Sequence, residues 1–208
     1  MARRIHGGWR RVLLAVVSSA LVALAGTGGV AAAHPNLGAA LLSARQLPKG
    51  WAPGRSTIPV SGGCLGRALS PAGVRRTGLA SATFVTRAGD LPLLIEQVAS
   101  FASPVSAYGR IVANLDSCKR FTGSAGDVVV HGAVGRISLP RLGTQSAAYA
   151  VSFTINGITS SEDVAVARDG AVVMDLSLAD VSVSSGEFTT ISRSALSRIA
   201  RSLRPAVR

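Results

Sequence analysis

The chain has 208 residues, 48% of them hydrophobic and 4% aromatic, and a formal net charge of +12 from 22 basic and 10 acidic residues. Once an export signal is set aside, that is enough apolar material for one domain with a proper core. Nucleic acid is excluded as the expected partner, since no strand interleaves base-stacking aromatics with basic residues, and arginine outnumbers lysine 20 to 2, a coding bias rather than a design for phosphate.

Residues 1–33 read as an export signal. Arg3, Arg4, Arg10 and Arg11 make a positive start, Val12 to Ala25 an apolar run, and Ala31-Ala32-Ala33 a small-residue cleavage site. An uncleaved membrane anchor is the alternative, although Gly26, Gly28 and Gly29 interrupt the run. Arg10-Arg11-Val12-Leu13-Leu14 carries the arginine pair of a twin-arginine signal, which leaves the export route open. The cleavage region has no cysteine for lipid attachment. Losing the signal's four arginines lowers the charge from +12 to +8. A basic exported protein is drawn to anionic envelope polymers and lipid headgroups by its long-range field.

Residues 34–208 are expected to form one monomeric domain. Ala39 to Arg45 can form a short helix, ended by Leu47-Pro48-Lys49-Gly50-Trp51, with Trp51 as a lid on the core rather than a ligand platform. Residues 52–76, rich in Gly, Pro and Ser, look irregular and hold Cys64. Ala80 to Arg87 is an expected strand with Ala82 and Phe84 on one side. Asp90 and Pro92 then look like a helix start, with Leu94, Ile95, Val98, Phe101 and Ala102 at helical spacing. Ser103-Pro104 starts a second helix, whose buried face carries Val105, Tyr108, Ile111, Val112, Leu115 and Cys118.

The only two cysteines, Cys64 and Cys118, are both exported, and an isolated pair in an oxidising compartment most simply forms one structural disulfide. The bridge would pin the glycine-rich loop to the helix. From Phe121 to Val134 the pattern is loose, with Val128, Val129 and Val130 suggesting a short strand, and Leu139-Pro140-Arg141-Leu142-Gly143 turns the chain into a meander.

That meander, about 146–180, is the most regular part of the sequence. Tyr149, Val151, Phe153 and Ile155 share one face of its first strand, Asn156-Gly157 reverses the chain, and Asp169-Gly170 reverses it again after a second strand ending near Arg168. Val172, Met174, Leu176 and Leu178 line one side of the third strand and are expected to join the apolar side of the first, leaving one face to bury. A closing helix runs from about Gly186 to Leu203, with Ser184 and Glu187 at capping-box spacing. Its apolar face carries Phe188, Ile191, Ala195, Ile199 and Leu203, and its basic face Arg193, Arg201, Arg204 and Arg208. The fold class is α+β: a twisted antiparallel sheet with a C-terminal meander, packed against helices and tied by one disulfide.

The inventory suits catalysis poorly. His6 leaves with the signal, His131 has no serine or carboxylate constellation with it in the sequence, and no serine lies in Gly-x-Ser-x-Gly. Glu162 and Asp163 are adjacent on a strand, so they point to opposite faces and read as lone surface carboxylates. No catalytic residue and no cofactor is expected. Cleavage after Ala33 would make His34 the amino terminus, whose amine and imidazole can bind copper(II), with His131 as a third nitrogen; a flexible tail is the plainer reading.

The order of helix, cysteine loop, strand, paired helices, cysteine, meander and closing helix resembles the PknH-like extracellular sensor domain of actinobacteria. The resemblance is carried by Leu41-Leu42, Leu47-Pro48-Lys49-Gly50-Trp51, Cys64, Ser103 to Cys118 with Phe121, and Leu139-Pro140-Arg141-Leu142-Gly143 leading to Ala148-Tyr149, and it extends from Ala39 to Pro205. It implies a twisted antiparallel sheet against helices with a cleft for an unidentified small ligand. Members stand on the outer side of some mycobacterial serine/threonine kinases and in related lipoproteins, often with two disulfides. This chain can make one and carries neither kinase domain nor lipobox, so signalling would run through a separate membrane protein. The expected function is a non-catalytic, exported, sensor-like domain of the cell envelope with unassigned ligand-binding residues. The alternative is a basic envelope protein that adheres to anionic polymer or lipid.

Overall fold

Among the described residues, eight strands make a single antiparallel sheet: β1 Trp51–Pro53, β2 Arg76–Thr86, β3 Leu93–Phe101, β4 Arg120–Ala125, β5 Val128–Ile137, β6 Gln145–Ile155, β7 Ile158–Asp169 and β8 Val172–Asp180. Their spatial order is β1-β2-β3-β8-β7-β6-β5-β4, so β4 to β8 form one continuous meander and the first three strands attach along β8. The helices are α1 Leu37–Ala40, followed by a 3-10 turn at Ala44–Gln46, then α2 Pro104–Ser117 and α3 Ser185–Ser202. The computed structural model describes residues 36–55, 64–65, 70–86, 91–125, 127–155, 158–180 and 184–203. The export signal, His34, the Asp90 cap, the Asn156-Gly157 turn, Arg204 and Arg208 lie outside the described residues.

The α+β class, the C-terminal meander and the single disulfide match the sequence reading. One expectation about the meander is overturned. A two-residue turn sets residue i opposite i+3, so each reversal exchanges odd positions for even ones and two reversals restore the original parity. Tyr149 therefore stands opposite Val164, which stands opposite Ser177. Its face continues onto β8 through Val173, Asp175 and Ser177, whereas Val172, Met174, Leu176 and Leu178 point to the other side. The sheet has two apolar faces, and helices cover both.

On one face α1 and α3 pack over Leu94, Val98, Ala165, Ala167, Met174, Leu176 and Leu178, with Trp51, Phe84 and Leu142 around them. The α3 residues Phe188, Ile191, Ala195 and Ile199 are buried there, as their helical spacing predicts. Ser184 caps α3 by accepting the Glu187 backbone N–H at 3.5 Å. On the other face α2 lays Ala107, Tyr108, Ile111 and Leu115 against Tyr149, Val151, Val164, Val166 and Val173. Pro104 opens α2 at a position where its missing N–H costs nothing.

The helix expected over 90–102 is instead strand β3, so the expected pair of helices is a strand followed by the one helix α2. β3 lies between β2 and β8 with apolar residues on both faces, so its sequence is a nearly continuous apolar run that fits helical spacing as well as a strand. Pro92 follows a cis peptide bond and leads into that strand. The loosely patterned segment after Phe121 is the β4–β5 hairpin. The short helix expected at 39–45 is divided between α1 and the 3-10 turn.

Entry into the meander depends on one glycine. Gly143 has φ +62°, and a Cβ there would stand 2.7 Å from the Arg168 carbonyl oxygen. That same carbonyl accepts hydrogen bonds from the Thr144 N–H at 3.0 Å and the Thr144 hydroxyl at 2.8 Å, which fixes where β6 begins against β7.

Candidate ligand cleft

The α2 side of the sheet is anchored at one end and open at the other. At the anchored end, Tyr149 reaches up from β6 and its hydroxyl donates to Asp116 Oδ1 of α2 at 3.0 Å. Burial, together with this carboxylate, pushes the Tyr149 phenol well above its usual range, so it stays a neutral donor. Cys118 caps the helix C-terminus, 1% exposed, and is joined to Cys64. The expected disulfide is present, and it ties residues 64–65 against the α2–β4 corner, where Cys64 Sγ lies 3.7 Å from the Arg120 carbonyl.

Toward β2 the same face opens. Leu79 is 46% exposed, and it shares a small depression with Gln97, Phe101, Ile111, Val173 and Asp175, with Arg76 at its margin. The floor follows from strand register: Leu79 lies opposite Ala99, Gln97 opposite Asp175, and Ala99 opposite Val173. Ile111 of α2 supplies the wall.

The chemistry on this floor is acidic and poorly solvated. Asp175 as a residue is only partly buried, but its Oδ1 has less than 1 Å² of contact with solvent and no hydrogen-bond partner. Burial, reinforced by the nearby Glu162 carboxylate, raises the Asp175 pKa to about 7. Glu162 lies on the same face and is also shifted upward by burial, against which the Ser177 hydroxyl favours its charged form. The sequence reading of Glu162 as a lone surface carboxylate is therefore corrected: it belongs to a cross-strand group with Asp175 and Ser177. Its separation from Asp163 holds, since Asp163 pairs with Leu178 on the α3 side.

A second desolvated carboxylate lies beneath the opposite layer. Glu96, on β3, is 0% exposed; Oε2 accepts the Leu42 N–H at 2.6 Å, and Oε1 is buried without a partner. Burial raises its pKa to about 7, against the lowering effects of the Leu42 N–H and Arg198. Sequence reasoning missed both Asp175 and Glu96. Asp175 stands between Met174 and Leu176, and Glu96 lies between Leu94 and Val98 along one face of β3; a charged residue in such an apolar run is the signal that could have found them.

His131 sits on the exposed β4–β5 hairpin, with Nδ1 3.2 Å from the Thr122 hydroxyl. The two residues line a shallow groove of about 270 Å³ with Arg120, Phe121 and Gly132. Its proposed copper partner, His34, is outside the described residues. Among the described residues no group of three or more His, Cys, Asp or Glu side chains could hold a metal ion.

The chain shares its fold with the extracellular domain of PknH from Mycobacterium tuberculosis, with a TM-score of 0.63 at 12% identity over 79% of this chain and 94% of that one. CalU16 from Micromonospora echinospora aligns over 64% of this chain and 87% of its own at 14% identity, with a TM-score of only 0.28. No protein-family model and no curated protein matches the chain.

Proposed function

We propose that this protein is an exported, non-catalytic, sensor-like domain of the cell envelope that holds a small ligand in the cleft between α2 and the β2–β3–β8 part of the sheet. The observation that carries the reading is the pairing of a half-covered sheet face with a buried, unpartnered carboxylate oxygen on its floor. Binding sites combine apolar walls with a few placed polar groups, and perturbed carboxylates in a cleft mark such places. The likeness in fold to an extracellular domain supports the location, as do the signal-like residues 1–33 and the disulfide. Among the described residues no helix is long and apolar enough to cross a membrane, and signalling would pass to a separate membrane protein.

The test is native mass spectrometry of the protein recovered from its own culture medium, without added ligand. A discrete passenger mass that survives exchange into high salt, and that Ile111→Trp abolishes by filling the cleft, is the expected result. A bare chain together with salt-labile retention on anionic polymer would overturn it in favour of the adhesive role, because surface attraction is screened by salt whereas a pocket ligand is not. The same spectrum reads the mature terminus and the oligomeric state, expected to be a monomer.

A further inference from the structure

Residues 36–50, which hold α1 and the 3-10 turn, form a strap over β2, β3 and α3, on the face of the sheet opposite the cleft. Among the described residues, three hydrogen bonds tie the strap to the sheet and to α3. The Leu42 N–H donates to Glu96 Oε2 at 2.6 Å, and the Ala39 carbonyl accepts from Arg198 Nε and the Ser202 hydroxyl, both at 2.9 Å. Leu37, Ala40, Leu42 and Leu47 are buried under the strap, so its closed form dominates. At the far end Gly50 joins it to β1 with φ +110° and nothing within 4 Å of its Cβ position, a joint free to turn.

Glu96 anchors the strap well as an acid and badly as an anion. It is 0% exposed, and Oε1 has no hydrogen-bond partner. It faces Leu42 of the strap, Ala82 of β2, Leu176 of β8 and Arg198 of α3. Arg198 is the one charged group among these, and its Nε is held by the Ala39 carbonyl rather than by Glu96. Arg45 and Lys49 of the strap and Glu187, Arg193 and Arg201 of α3 are exposed, while Asp163 of β7 and Asp180 of β8 stand further along the same face. A protonated Glu96 keeps an oxygen for the Leu42 N–H and carries no charge. An ionised one places an unpaired charge in an apolar layer, which is strongly disfavoured until water or a cation reaches it. Burial accordingly raises its pKa from 4.5 to about 7. The proton is held more tightly with the strap closed than with Glu96 in water, so acid favours closure and rising pH favours opening.

We propose that the strap is a proton-controlled latch: protonated Glu96 holds it shut, and ionisation of Glu96 raises the population of a form in which residues 36–50 have swung off the sheet about Gly50. In the open form the Ala39 carbonyl leaves Arg198, whose guanidinium then pairs with the Glu96 carboxylate. The domain thereby responds to acidity directly, with the proton as its ligand, whether or not the cleft on the other face is filled. A carboxyl shifted from 4.5 to about 7 changes the opening equilibrium about fifty- to hundredfold between pH 5 and pH 8. The buried apolar residues keep the closed strap in the majority throughout, so the proton acts on the size of a minor population.

The test is amide hydrogen exchange of the full chain between pH 5 and pH 8, read as opening constants after division by the intrinsic exchange rate at each pH. The Leu42 amide reports the strap, and the Met174 and Leu176 amides of β8 report global unfolding. The Leu42 opening constant should exceed those of β8, should depend on urea much more weakly, and should rise about fifty- to hundredfold from pH 5 to pH 8. In Glu96→Gln it should be nearly flat with pH. Arg198→Met removes the charge that favours ionised Glu96 and should move the rise to higher pH; it is the independent variant should Glu96→Gln fail to fold. Exchange of Leu42 with the same opening constant and urea dependence as β8 would overturn the latch, because the strap would then never open by itself. So would a Leu42 opening constant flat with pH in the wild type, an equal rise in Glu96→Gln, or a rise that Arg198→Met leaves at the same pH.

Discussion

Glu96→Gln should abolish a large part of the pH dependence of stability. In the folded protein the Glu96 carboxyl has a pKa raised from 4.5 to about 7 by burial. A group whose pKa is higher folded than unfolded binds its proton more tightly in the native state. Its stabilisation is fully present below the unfolded pKa and is lost as pH rises through the folded one. The difference between 4.5 and about 7, at about 1.4 kcal/mol per pH unit, comes to about 3 kcal/mol, most of it lost between pH 5 and pH 8. Glu96 is 0% exposed, so solvent screening does not reduce the figure. Asp175 shifts in the same direction, so the wild-type decline should exceed what Glu96 alone produces. Glutamine keeps an oxygen for the Leu42 N–H but cannot ionise. The assay is equilibrium urea unfolding, disulfide intact, at pH 5, 6, 7 and 8. The variant should lose about 3 kcal/mol less than wild type over that range, whatever the offset from burying its amide. Equal slopes for the two proteins, or a wild type no less stable at pH 8 than at pH 5, would refute the reasoning.

Other consequences follow from the same packing. Reducing the Cys64–Cys118 bridge, or replacing both residues with serine, should cost about 4 kcal/mol by the chain-entropy relation for a sequence separation of 54, read as a lower urea midpoint. Tyr149→Phe removes the hydroxyl's bonds to Asp116 and the Val112 carbonyl and should destabilise by about 1–2 kcal/mol. Gly132→Val should destabilise by about 1–3 kcal/mol, because a Cβ there meets the Phe121 ring and lies 2.8 Å from the Ser152 carbonyl oxygen. Gly135→Val, on the same strand with nothing within 4 Å of its Cβ position, should leave the melting temperature nearly unchanged.

The meander was legible because its strands alternate and its turn carries glycine at φ +56°; α2 and α3 were legible because Ser103-Pro104 and Ser184 announce them. β3 was not, since a strand with apolar residues on both faces has no clear period to read. The opposite orientation of the Tyr149 and Met174 faces was within reach of the sequence, because the parity of two tight turns fixes it; the β7 pattern Val164-Ala165-Val166-Ala167, apolar on both sides, hid it. The cleft was out of reach. It depends on Gln97 meeting Asp175 and on Glu162 approaching it from another strand, pairings that span much of the chain. The disulfide needed only a count of cysteines and a compartment.

The contact between α1 and α3 brings together residues from opposite ends of the described chain. The Ala39 carbonyl accepts hydrogen bonds from Arg198 Nε and the Ser202 hydroxyl, both at 2.9 Å. A few glycines joining the end of α3 to the start of α1 would therefore close the domain into a ring at small entropic cost, and new termini could be opened at the exposed Gly170 turn. A circular permutant of that design should fold to the same sheet, with the order in which its strands meet reset by the new connectivity.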